Sequence, residues 1–203
     1  MTCSFDLETS LATPVCGLDE AGRGPLAGPV VAACVYVPPE KRSLDFWSQV
    51  NDSKKLSAKK RDVLFDLIRE HCLCGIAESS VAEIDSMNIL RASLLAMKRS
   101  FEAIHADESW IALVDGNQRP PLPCTIQTVI KGDSISFSIA AASILAKVTR
   151  DRIMNDLCAQ YPMYGWSKNA GYGTALHMNA LQTHGATIHH RKSFAPVRDA
   201  HAL

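Results

Sequence analysis

Apolar residues recur along this chain with two periods, and the switches between them outline the fold. Val15 to Leu18 and Pro29 to Val37 (PVVAACVYV) are β-branched and apolar, with glycines and prolines between them, which predicts two strands joined by a tight connection. Ser57 then opens a helical pattern that sets Val63, Leu64, Leu67 and Ile68 on one face. Gly75 to Val81 fits a further strand. From Ile84 to His105 the apolar positions return to helical spacing (Ile84, Met87, Leu90, Leu94, Met97, Phe101, Ile104), with Asp85 or Ser86 as caps. Trp110 to Val114 reads as a short buried strand ending at Asp115-Gly116, and Thr125 to Ile130 as another strand. A long helix is expected from Ser136 to Gln160. Beyond Pro162 the chain is richer in glycine and histidine, and an irregular or helical appendage is expected. Strands alternating with helices predict an α/β or α+β domain whose sheet is covered by helices.

Bulk properties narrow this picture. At 203 residues and 47% hydrophobic, the chain can bury one substantial core, so one domain over 1–203 is expected, with about 1–14 as an N-terminal extension and about 162–203 as a C-terminal helical or irregular segment. Lys plus Arg equal Asp plus Glu at 21 each, so any attraction for a polyanion must come from local clusters rather than net charge. The seven cysteines are odd in number, scattered and contain no C-x-x-C pair, which argues against a disulfide framework or zinc knuckle and suits a reducing cytoplasm. No apolar run approaches the roughly 20 residues a bilayer requires, and no basic start precedes an apolar stretch, so neither a membrane span nor a signal peptide is expected.

The candidate chemistry lies in carboxylates at strand ends. Asp19 and Glu20 follow the first apolar strand and Asp115 follows another, so they share an edge if those strands are parallel neighbours. Like charges at close range repel and need cations, and divalent magnesium or manganese prefers such oxygen ligands. Asp133, in KGDSISFS ahead of the long helix, is a fourth candidate. Singly, each has a plainer reading: Asp115-Gly116 as a turn, Asp133 as a helix cap. Neighbours in a regular strand face opposite ways, so Asp19 and Glu20 can serve one site only if the strand ends or bulges there.

After the acidic pair comes AGRGPLAGPV, with Gly22, Gly24 and Gly28. A dinucleotide fingerprint requires its third glycine one residue earlier and a helix afterwards, whereas here a strand follows. Glycines flanking Arg23 would let backbone approach a ligand while the guanidinium reaches phosphate. The plainer reading is a glycine-rich hairpin with an exposed arginine.

The run GLDEAGRGPLAGPVVAA closely resembles the signature of the bacterial ribonuclease HII family. NDSKKLS (Asn51 to Ser57), LVDGN (Leu113 to Asn117), KGDSISFSIAAASILAKVTRDR (Lys131 to Arg152), AGYGT (Ala170 to Thr174) and HRKSFAPV (His190 to Val197) follow in family order. The resemblance implies a ribonuclease H-like mixed β-sheet flanked by helices, with a helical C-terminal segment. It implies metal-binding, catalytic carboxylates at Asp19, Glu20, Asp115 and Asp133, with Mn2+ or Mg2+ as cofactor. It makes Gly22, Arg23 and Gly24 a reader of the ribose at an RNA–DNA junction. Tyr172 resembles the family tyrosine that stacks beside the ribonucleotide sugar and helps sense the 2′-hydroxyl, the group that separates RNA from DNA.

Basic residues gather locally at Lys54, Lys55, Lys59, Lys60 and Arg61, and again at Lys147, Arg150 and Arg152. They are candidate docking charges for phosphate, with Lys54 and Lys55 favoured and Lys168 added. The family usually carries a lysine where this chain has Ala170, which bears on how the C-terminal segment grips phosphate. Asp151 is expected to pair with a nearby arginine rather than bind metal. His177, His189 and His190 are read as surface or structural. The implied activity is two-metal hydrolysis of the RNA strand of RNA–DNA hybrids and cleavage 5′ of ribonucleotides in duplex DNA, leaving 5′-phosphate and 3′-hydroxyl, by a protein expected to act as a monomer. The rival readings are a hybrid-binding module without catalysis and a nucleotide-dependent enzyme that uses the glycine segment for a free cofactor.

Overall fold

The computed structural model describes residues 3–11 and 13–200. The parts of the expected N-terminal extension and C-terminal segment at residues 1, 2, 12 and 201–203 lie outside the described residues. Five strands, β1 (Val15–Ala21), β2 (Val30–Tyr36), β3 (Leu73–Ser79), β4 (Ile111–Asp115) and β5 (Thr125–Val129), form one sheet in the order β3-β2-β1-β4-β5. The helices are α1 (Asp6–Thr9), α2 (Ala58–His71), α3 (Val81–Met87), α4 (Ile89–Glu102), α5 (Phe137–Gln160), α6 (Trp166–Asn169), α7 (Ala175–His184) and α8 (Ala195–Ala200). Antiparallel pairs join β1 to β2 and β2 to β3, while β1–β4 and β4–β5 are parallel, so the sheet is mixed.

Both faces of the sheet are covered, which is why β1 and β2 read as nearly continuous apolar runs. On one face Ala33 and Val35 of β2 pack with Leu64, Phe65 and Ile68 of α2 and with the alanine-rich side of α5. On the other, Cys16, Leu18, Val30, Ala32 and Cys34 meet Ala92, Ala96, Met97 and Phe101 of α4. Each fully buried Leu, Ile or Val here removes apolar surface worth about 1.5–3 kcal/mol. Gly17 sets how closely α5 approaches, because a side chain there would strike the α5 backbone at Ser138 and Ile139. That close approach brings the segment ahead of α5 to the ends of β1 and β4.

Several boundaries differ from the sequence reading. The first strand runs on to Ala21, with Asp19 and Glu20 inside it and paired one-to-one with Ala33 and Ala32, so it neither ends nor bulges at the acidic pair. The expected helix from Ile84 to His105 is two helices. Ser80 caps α3 in a reciprocal box with Glu83, Asn88 at φ 73° breaks the path, and the Asn88 side chain caps α4 through the Arg91 amide. Asp85 is no cap; it accepts the Lys192 and Ser193 amides and so holds the C-terminal segment. Val63 is 54% exposed, and Phe65 takes the buried place expected for it, since the core-facing stripe of α2 runs through 64, 65 and 68. Ser136, not Asp133, caps α5. No described helix is long and apolar enough to cross a membrane.

Candidate active site

The carboxylates meet because two strands run the same way. β1 and β4 pair with Leu18 opposite Val114, so one step further Asp19 and Asp115 stand at the same edge. The Asp115 carboxylate accepts the Gly132 amide at 2.7 Å, which ties the end of β4 to the short turn Gly132–Ser134 that carries Asp133. Asp19 is 6% exposed. Burial, then the charges of Glu20, Asp115 and Asp133, push its carboxyl well above the usual aspartate range. Asp133 is raised by burial and by the charges of Asp52 and Asp115. Glu20 is raised by burial despite Arg23, whose guanidinium lies 3.4 Å from it.

Strand alternation puts Asp19 on the α5 face and Glu20 on the α4 face. Near the end of the strand both still line one cavity of about 380 Å3, and Glu20 and Asp115 also share a narrow adjoining cleft of about 60 Å3. The four are neighbours rather than a finished cage: among the described residues, no three His, Cys, Asp or Glu side chains form a group that could hold a metal ion. The donors are nevertheless all oxygen and mutually repelling, a chemistry that suits a hard divalent ion.

Lys54 lines the same cavity. Burial alone would lower its ammonium, but Asp52, Asp19, Asp133 and Asp115 together hold it above the ordinary lysine value. Lys55 turns to Ser134, beside Asp133, at 3.2 Å. Gly22, Arg23, Gly24 and Tyr172 line the same cavity as Asp19 and Glu20, whereas Asp115 lines the adjoining cleft. Gly22 sits at φ +99°, a conformation that glycine tolerates, and Tyr172, 51% exposed, packs so near Gly24 that a methyl there would lie 3.2 Å from its ring. Lys168 stands apart. It lines a groove of about 610 Å3 between α2, α5 and α6, which touches the main cavity only through Lys147.

Two expected docking charges are structural instead. Arg150 is 2% exposed and donates to the carbonyls of Ala27, Pro29 and Ala170 at 2.8–3.0 Å, because α5 carries it beneath the glycine loop. Arg61 donates to the Ser53 and Leu56 carbonyls and thereby braces the turn holding Lys54. Asp151 pairs with Lys147 at 2.6 Å as well as with Arg61 at 3.6 Å. His177 and His190 are buried: the Trp166 indole donates to His177 Nε2, which leaves Nδ1 to donate to the Tyr172 carbonyl at 2.9 Å. Sequence reasoning missed Asp52, a fifth carboxylate beside Asp133, although NDSKKLS carries it. It also missed Arg191, fully buried, which donates to the carbonyls of Gly22, Arg23 and Gly28. The HRKSF motif was the only signal for it.

Comparison with known proteins agrees with this architecture. The ribonuclease HII family model matches residues 16–197. A ribonuclease HII from Paramagnetospirillum magneticum is 52% identical over 191 residues, which cover 94% of either chain. The solved PCNA:RNase HII complex from Archaeoglobus fulgidus aligns with a TM-score of 0.75 at 25% identity, covering 92% of this chain and 96% of that one. The structure of Bst-RNase HIII in complex with Mn2+ shares the fold, with a TM-score of 0.73 at 19% identity over 94% of this chain and 70% of its own.

Proposed function

This chain belongs to the ribonuclease HII family and is a ribonuclease H-type endonuclease, and we propose that Asp19, Glu20, Asp115 and Asp133 form its catalytic centre. One observation carries this reading: Asp19, Asp115 and Asp133, from separate parts of the chain, meet at one sheet edge where each other's charge or burial raises two of them. A protein that only held a polyanion would gain nothing from such a cluster, which repels phosphate. Ribonucleases H are metal-dependent, and we assign two divalent ions, Mg2+ or Mn2+, to this edge; the fold-level neighbour Bst-RNase HIII was captured with Mn2+. Bound ions of this kind supply Lewis acidity, activating a water and stabilising the leaving oxygen.

The protein's own part is placement. Asp19, fixed by the strand ladder and lining the cavity, and Asp115, fixed by the Gly132 amide and lining the adjoining cleft, would hold the ions that face the reacting phosphate. Lys54 and Lys55 take flanking phosphates. Gly22, Arg23, Gly24 and Tyr172 receive the ribose, so the substrates are RNA–DNA hybrids and duplex DNA with embedded ribonucleotides, cut 5′ of the ribonucleotide to leave 5′-phosphate and 3′-hydroxyl. Lys168 contributes an outlying phosphate contact. We further propose that 1–203 works as one domain and as a monomer. The cytoplasm is the proposed place of work, where its seven free thiols stay reduced.

Digestion of a duplex carrying one ribonucleotide, with and without Mg2+ or Mn2+, tests this. The expected result is a metal-dependent cut at the phosphodiester preceding that ribonucleotide. Cleavage elsewhere, or undiminished cleavage in chelator, would overturn it.

A further inference from the structure

Arg150 and Arg191 are the two largest fully buried charged side chains, and among the described residues neither forms an ion pair. Burying an unpaired guanidinium is costly, and here the compensation comes from backbone oxygen. Arg150 binds the carbonyls of Ala27, Pro29 and Ala170. Arg191 binds those of Gly22, Arg23 and Gly28, with a longer contact to Pro29 at 3.2 Å. Five of these oxygens belong to loop 22–29, whose three glycines widen its backbone freedom; backbone bonds to Gly171, His189 and Arg191 tie residues 26–28, and residues 22 and 23 are held through their carbonyls by Arg191.

The pattern has a directional consequence. In a trans peptide the carbonyl and the following amide point opposite ways, and the structure contains no cis bond among the described residues. With the Gly22 and Arg23 carbonyls drawn inward onto Arg191, the amides of Arg23 and Gly24 are aimed outward, toward the cavity that Gly22, Arg23 and Gly24 line. Arg150 does something different. It reaches from Ala27 and Pro29 on the glycine loop to Ala170, two residues before Tyr172, and so spans the two sides of the same wall.

We propose that Arg191 and Arg150 are positioning residues for ribose recognition: Arg191 aims the Arg23 and Gly24 amides at the sugar, and Arg150 fixes the gap between that rim and Tyr172. This rests on the reading that the glycine loop receives the ribose. Lysine at either position keeps the charge but has no planar fork with which to gather several carbonyls.

The test compares kcat/KM on duplexes with a single ribonucleotide and with a single 2′-deoxy-2′-fluoro nucleotide, whose fluorine is a poor acceptor for an amide. That ratio does not depend on how much of a sample is folded. Arg191→Lys and Arg150→Lys are each expected to reduce the ratio about ten-fold, the size of one lost hydrogen bond. Arg99→Lys, a remote control that weakens the Glu83 pair on α3 and α4, should lower the melting temperature and leave the ratio unchanged. A ratio within two-fold of the parent in either arginine variant overturns that arginine's role, and so does failure of both variants to give a folded, cutting protein. If the unsubstituted enzyme cuts both duplexes equally, the ribose-reading loop itself is wrong and this inference falls with it; if only the variants fail to respond, the reading of the loop stands.

Discussion

The two sides of the cavity are built by different means. The carboxylate edge is held by backbone: parallel β1 and β4 bring Asp19 and Asp115 level, and one amide from Gly132 draws in the turn with Asp133. The glycine-loop wall, with loop 22–29 and Tyr172, has only short backbone ties: an isolated bridge between Ala27 and His190, and hydrogen bonds from the Leu26 and Gly28 amides to the Gly171 and His189 carbonyls. Side chains from distant segments add to these ties, Arg150 from α5, Arg191 from the C-terminal segment and His177 from α7. Asp19 and Asp115 are thus fixed by strand pairing, while the wall proposed to meet the sugar leans in part on side-chain hydrogen bonds that a single substitution can remove.

Asp19→Asn bears hardest on the rigid side. Cleavage should fall on the order of a thousand-fold or more, the several kcal/mol that ion-assisted phosphodiester chemistry supplies, while the fold persists. Because the folded Asp19 carboxyl is raised, its contribution to stability is full below the ordinary aspartate value and is lost as pH climbs through the raised one. Melting curves without metal between about pH 4 and 8 should therefore show the parent weakening with pH more than the Asn variant does. Equal slopes would contradict the repulsion described.

Gly17→Ala attacks the same side through packing. A methyl driven into the α5 backbone should cost about 1–3 kcal/mol by denaturant titration, and activity should drop with the displaced Asp133 turn. An unchanged midpoint would mean that α5 does not rest on β1 as closely as described.

On the other wall, Tyr172→Ala should lower kcat/KM for single ribonucleotides about ten-fold, near 1.4 kcal/mol, with no change in melting, since the ring is half exposed. Loss of metal affinity instead would couple the two walls. Lys168→Ala should have the smallest effect, about two-fold and visible mainly as a shallower salt dependence, because Lys168 lines the neighbouring groove rather than the cavity.

Legibility followed the same division. Alternating strand and helix periods placed β1, β4 and α5, and with them the edge where Asp19, Asp115 and Asp133 meet. The boundaries that slipped were set by single residues acting through conformation: Asn88, at a positive φ of 73° with an extended ψ, cuts one apolar stripe into α3 and α4, and no period reveals that. Arg150 and Arg191 were harder still. A charged residue in a polar motif has the local signature of a solvated one, and its burial is decided only by what folds over it. Asp52 was hidden for a similar reason, since it looks like a turn residue until the Asp133 segment arrives beside it.

The parallel pairing of β1 with β4 also orders events during synthesis. The first strand leaves the ribosome with its acidic pair but waits for residues 111–115 to find its partner, and for α5 to cover it. Such late, long-range pairing is slow compared with hairpin closure. Loop 22–29 waits longer, until Arg191 is translated. A nascent chain therefore carries Asp19, Glu20 and the glycine loop well before the segments that fix their positions have been made.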